Sequence, residues 1–95
     1  MTFTEFCLAN NIKLLKDDLK YIRRILEQLP KDHRAAILKQ YADRWLEAMA
    51  NEPNESLKNN KGRKAANEWL REYGKGRDNW DGKTSLRGFN YEDNT

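Results

Sequence analysis

The chain has 95 residues, 35% of them charged and 38% hydrophobic, with a formal net charge of +3. That length supports one small domain with a single compact core, and the high charge content fits broad solvated faces with room for a disordered segment. The modest positive balance excludes an acidic mimic of DNA, and the single cysteine, Cys7, excludes an intrachain disulfide and a cysteine zinc site.

Apolar residues recur at helical spacing, and no segment alternates like a strand. A short first helix is expected from Thr2, whose hydroxyl can cap the first turn, with Phe3, Phe6 and Cys7 on one face. The "ANN" at 9 to 11 should stop it, because Asn tolerates left-handed backbone at a helix end. A second helix is expected from Asp17 or Asp18 to Gln28, with Leu19, Ile22, Ile25, Leu26 and Leu29 as its stripe. Pro30 ends it, since the residue before proline is pushed out of helical geometry.

The third and clearest helix should run from Lys31 or Asp32 to about Asn51. Its stripe is Ile37, Leu38, Tyr41, Trp45, Ala48 and Met49, and Lys39 and Asp43 can pair across one turn. A polar connection, "ESLKNNKG", then leads to a fourth helix from Arg63 to Tyr73, with Ala66, Trp69, Leu70 and Tyr73 inward. Gly74 is a good left-handed stop. The short link between the second and third helices makes them antiparallel neighbours or a steeply crossed pair. The expected shared core is Leu19, Ile22, Ile25, Leu26, Leu38, Tyr41, Trp45, Trp69 and Leu70. The expectation is an all-α fold: a small three- to four-helix bundle over residues 1–74, followed by a flexible polar tail over 75–95.

"GKGRDNWDGKT" ends like a phosphate-binding loop, but the first glycine that loop needs falls at Arg77, and no strand precedes it. A dinucleotide fingerprint fails for want of a third glycine at 79. A calcium loop fails because its first position is Arg77 and its twelfth is Gly88. His33 and Cys7 are the residue types of a base and a nucleophile, but nothing orients either; His33 is expected exposed and Cys7 in the core. Trp45 and Trp69 lie on apolar stripes and are expected to pack rather than stack on a ligand. Trp80 sits in a polar stretch, where it either folds back on the bundle or anchors a partner.

The basic residues cluster after the middle of the chain. From Met1 to Pro30 the balance is about +1, whereas Lys58 to Arg77 holds seven basic residues against Glu68 and Glu72. Lys58, Lys61, Arg63 and Lys64 precede or open the fourth helix. Asn67 and Arg71 are expected on its outer face, and Lys75 and Arg77 follow it. Cations at a helix start oppose its dipole, so their placement there suggests phosphate contact. Asn and Arg on an exposed face are also residue types that read base edges. A helix-turn-helix suits the short second turn but not the long "NEPNESLKNN" connection.

These residues predict a small binding protein that contacts nucleic acid through a basic fourth helix and its flanks. The alternative is a protein interaction module or regulator, a homodimer included, with Trp80 as anchor. In its small, charged style the chain resembles accessory proteins of phages and prophages, without a shared motif. No enzymatic activity, cofactor, metal or small-molecule substrate is expected. "MTFTEFCLANN" lacks the features of a signal peptide and no stretch reaches the length of a membrane span, so a cytoplasmic location is expected.

Overall fold

The computed structural model describes residues 2–74, which form four α-helices and no strand. They are α1 (Phe3–Ala9), α2 (Lys16–Leu26), α3 (Lys31–Ala50) and α4 (Lys58–Gly74), with a 3₁₀ turn at Glu55–Leu57 before α4. The chain is therefore a small all-α helical bundle. The tail expected over residues 75–95 lies outside the described residues.

Local chemistry sets the ends of α1. Thr2 Oγ1 accepts from the Glu5 N–H at 3.1 Å, and the Glu5 carboxylate accepts from the Thr2 N–H at 3.0 Å. This reciprocal capping box satisfies two free donors of the first turn and holds the Glu5 carboxyl below its ordinary value. After Ala9 the chain turns through Asn11 at φ 60°, the left-handed conformation that Asn tolerates.

Helix α2 starts at Lys16, one or two residues earlier than its aspartates suggested. Leu15 at its N-cap has no side-chain acceptor, so Asp18 turns back and accepts from the Leu15 N–H at 2.9 Å. The helix ends at Leu26, where the Gln28 and Leu29 N–H groups bond to Ile25 and Leu26 carbonyls in a tightened turn before Pro30.

Helices α3 and α4 form the most extensively packed pair. Helix α2 lies against α4, and α1 against α3. The short 27–30 link does not lay α2 along α3; its close helix partner is α4. Trp45, Tyr41, Ile37 and Leu70 are the largest fully enclosed side chains. Burial of side chains this size contributes about 1.5–3 kcal/mol each before the entropy of ordering them.

Three expectations are corrected. Helix α4 begins at Lys58, so most of "ESLKNNKG" is helical rather than a connection. Gly62, within that stretch, is a point of close approach: a Cβ built there would lie 2.7 Å from Trp45 Cγ. Leu19, expected in the core, is 38% exposed, because it lies at the edge of the α2 stripe centred on Ile22. Ile25 and Trp69 are only half-buried. Ile12, in the loop between α1 and α2, is a core residue at 4% exposure that no helical period marks. Among the described residues, no helix is long and apolar enough to cross a membrane.

Candidate nucleic-acid interface

The α3–α4 seam carries a ladder of polar contacts built on four-residue spacing. Tyr41 and Trp45 are one turn apart on α3; Asn59, Arg63 and Asn67 are one turn apart on α4. The Tyr41 hydroxyl donates to Asn67 Oδ1 at 2.6 Å, and Trp45 Nε1–H donates to Asn59 Oδ1 at 3.1 Å. The Arg63 guanidinium lies 5.1 Å from the centroid of the Trp45 ring. Burial, and secondarily the nearby Asp18 charge, pushes the Tyr41 hydroxyl well above its ordinary pKa.

Arg63 is the hub. Its Nε donates to Asp18 Oδ2 at 2.8 Å, its Nη2 to the Lys13 carbonyl at 2.8 Å and its Nη1 to Asn60 Oδ1 at 3.1 Å. Asp18 is 5% exposed and also accepts from Asn67 Nδ2 at 3.4 Å. Asn59 Oδ1 takes the Lys13 N–H at 3.0 Å. Both backbone polar groups of Lys13 are thus held by α4 side chains.

These contacts redistribute the expected nucleic-acid residues. Asn67, expected on the outer face, turns inward to Tyr41 and Asp18, because those partners lie on the helices that α4 covers. Arg63, expected in an exposed cap region, is one full turn inside α4 and committed to Asp18. Lys58 is half-buried; its Nζ donates to the Met49 carbonyl at 3.3 Å, near the C-terminus of α3, and lies 4.0 Å from Glu55. Lys61, Lys64 and Arg71 remain exposed on the outer face of α4, with Glu68 among them. Lys75, Arg77 and Trp80 lie outside the described residues.

The larger basic surface is on α2 and the loop before it. Lys13, Lys16, Lys20, Arg23 and Arg24 are all exposed, against the exposed carboxylates Asp17 and Glu27. Among the described residues, none of the five cations pairs with a carboxylate. Lys16, Lys20, Arg23 and Arg24 recur at three and four, so they share the solvent side of the helix. The overall count over Met1 to Pro30 hid this face, because it included Asp18, which is buried against Arg63, and Glu5, which belongs to α1. The signal that finds it is the α2 stripe itself: Asp18 falls in register with Ile22, on the buried side.

Helix α4 joins this surface through a shallow groove lined by Tyr21 of α2 and Asn67, Glu68 and Arg71 of α4. A second groove between α3 and α4 is lined by Ala48 and Ala65 and by charges of both signs, Lys61, Lys64 and Glu68 on the α4 side and Glu52 just beyond the end of α3. Trp69 edges that side, with the Arg44 guanidinium 5.5 Å from its ring centroid.

Cys7 is a core residue at 3% exposure, and burial pushes its thiol up to about 12, which removes it as a nucleophile at neutral pH. His33 is half-buried in the first turn of α3 rather than exposed. Among the described residues, no group of three or more His, Cys, Asp or Glu is placed to hold a metal ion. No family model, curated protein or solved structure matches this chain.

Proposed function

We propose that the chain binds nucleic acid through the phosphate backbone, with the exposed cations of α2 as the main contact surface and Lys64 and Arg71 of α4 beside them. The observation that carries this reading is the row of five exposed cations between Lys13 and Arg24, none of which pairs with a carboxylate among the described residues. Such a row opposes folding. Like charges at i and i+4, as in Lys16–Lys20–Arg24, cost about 0.2–0.5 kcal/mol per pair. Lys16 also stands at the positive end of the helix dipole. Arg23 and Arg24 are accounted for by the favourable C-terminal end of α2; Lys16 and Lys20 are not. A polyanion repays that cost by releasing its counterions.

The test is binding of labelled single-stranded and duplex oligonucleotides at two salt concentrations. Affinity should fall steeply with salt on a log–log plot. Absence of binding at about 50 mM salt, where such contacts are strongest, removes the proposal. A second reading, a surface for another protein, is favoured by Leu15 and Leu19, which are exposed beside the same cations. It predicts a complex whose stability depends on those leucines and no affinity for oligonucleotides.

A further inference from the structure

The groove between α2 and α4 differs from the rest of the basic surface in holding an aromatic ring. Tyr21 is half-buried, so its position is set by packing against the core while part of the side chain faces the groove. Among the described residues its hydroxyl makes no hydrogen bond. Burial raises the hydroxyl's pKa, and the Arg71 cation draws it back down, which places positive charge near the ring. Arg71 itself is exposed and pairs with no carboxylate among the described residues. Glu68 adds an acceptor to the same groove.

We infer that this groove seats one unstacked base of a single-stranded nucleic acid, stacked on Tyr21, with Arg71 at the adjoining phosphate and the α2 cations along the strand. The inference rests on the nucleic-acid reading above and selects single strands over duplex. A duplex keeps its bases stacked and offers this surface only phosphates. A protein that reads duplex sequence needs side chains that reach base edges, and Asn67, the α4 residue best suited to that, is committed to Tyr41 and Asp18. A single strand offers both charge and free base faces, and basic surfaces interleaved with aromatic rings are how proteins hold single strands. Glu68 accepts from an exocyclic amino group, so an amino-bearing base fits the groove better than uracil or thymine.

The experiment uses the full chain and a fluorescein-labelled oligodeoxynucleotide of about twelve residues, alone and annealed to its complement, at about 50 mM salt. Tyr21→Leu keeps the apolar bulk and removes the aromatic face; Tyr21→Phe keeps the face. Retention of the helical circular dichroism signal confirms that each variant is folded. The expected result is tighter binding of the single strand than of the duplex. Tyr21→Leu should weaken single-strand binding about ten- to a hundredfold, with duplex binding unchanged and Tyr21→Phe close to the parent chain. If parent and Tyr21→Leu bind single strand and duplex alike, the base seat is wrong while the phosphate-binding reading stands. If the parent chain binds neither, both are overturned.

Discussion

Arg63 Nε meets Asp18 Oδ2 at 2.8 Å, joining α4 to the start of α2 across 45 residues of chain. The carboxylate is nearly enclosed, and the guanidinium also carries the Lys13 carbonyl and rests on Trp45. Arg63→Ala strands a buried charge and should cost about 3–5 kcal/mol, a large share of the stability of a domain this small. Lys64→Ala, one residue away but exposed, should stay within about 0.5 kcal/mol. Urea midpoints of the two variants check the contrast; equal midpoints would place the Arg63 contact among the weak surface pairs.

Gly62→Ala tests the seam from the other side. In an open helix the substitution stabilises by about 1 kcal/mol. Here the added methyl group meets the Trp45 indole, which has no room to retreat. Overpacking of this kind costs about 1–3 kcal/mol, so the net change should be destabilising. A thermal melt gives the sign, and the near-ultraviolet circular dichroism of the tryptophans should change with it.

Alkali should unfold the domain from within. Burial holds the Cys7 thiol at about 12 against an ordinary 9.0, and holds the Tyr41 hydroxyl above its ordinary 10.0. Both groups keep their protons in the folded chain and release them in the unfolded one. Their contribution is therefore complete below pH 9.0 and is lost as pH rises beyond the ordinary values toward the folded ones. Each group removes up to about 1.4 kcal/mol per pH unit over that range. Urea midpoints at neutral pH and through the alkaline range should fall accordingly, and Cys7→Ala should delay the onset. In the folded chain at neutral pH, a thiol reagent should react with Cys7 only in step with unfolding.

Charge removal on α2 should separate binding from folding. Each phosphate contact contributes about −0.7 to the log–log salt slope on single strands, so replacing Lys16, Lys20 and Arg23 together by Ala should flatten the slope by about two units. None of the three is paired among the described residues, and removing their mutual repulsion should leave the melting temperature equal or slightly higher. Lys39→Ala is the control, because Lys39 already pairs with Asp43 at 2.8 Å on α3. A slope unchanged in the triple variant would move the contact surface off α2.

What was legible in the sequence is what repeats or acts locally. Ile22, Leu38, Trp45 and Leu70 stand at helical spacing and are buried as expected. Thr2 and Asn11 act within a turn of their own position, and both do what their side chains favour there. Arg63 and Asn67 were misplaced because a charge or an amide has no period, and their partners Asp18, Tyr41 and Lys13 are distant in sequence. The stretch holding Gly62 was expected to be a connection rather than helix for the same reason, since the residue that requires a glycine there is Trp45. The α2 face was missed because adding formal charges treats Asp18 as if it faced water.

Lys13 has its N–H held by Asn59 and its carbonyl by Arg63. The loop that launches α2 therefore takes its shape from side chains that follow it by 46 and 50 positions. On a ribosome that makes the order of events one-sided. Until α4 has emerged, the loop at Lys13 has no Asn59 or Arg63 to fasten it, and Asp18 is a bare carboxylate in water. The loop and the start of α2 therefore take their final place only once α4 is synthesised, and lock in step with it.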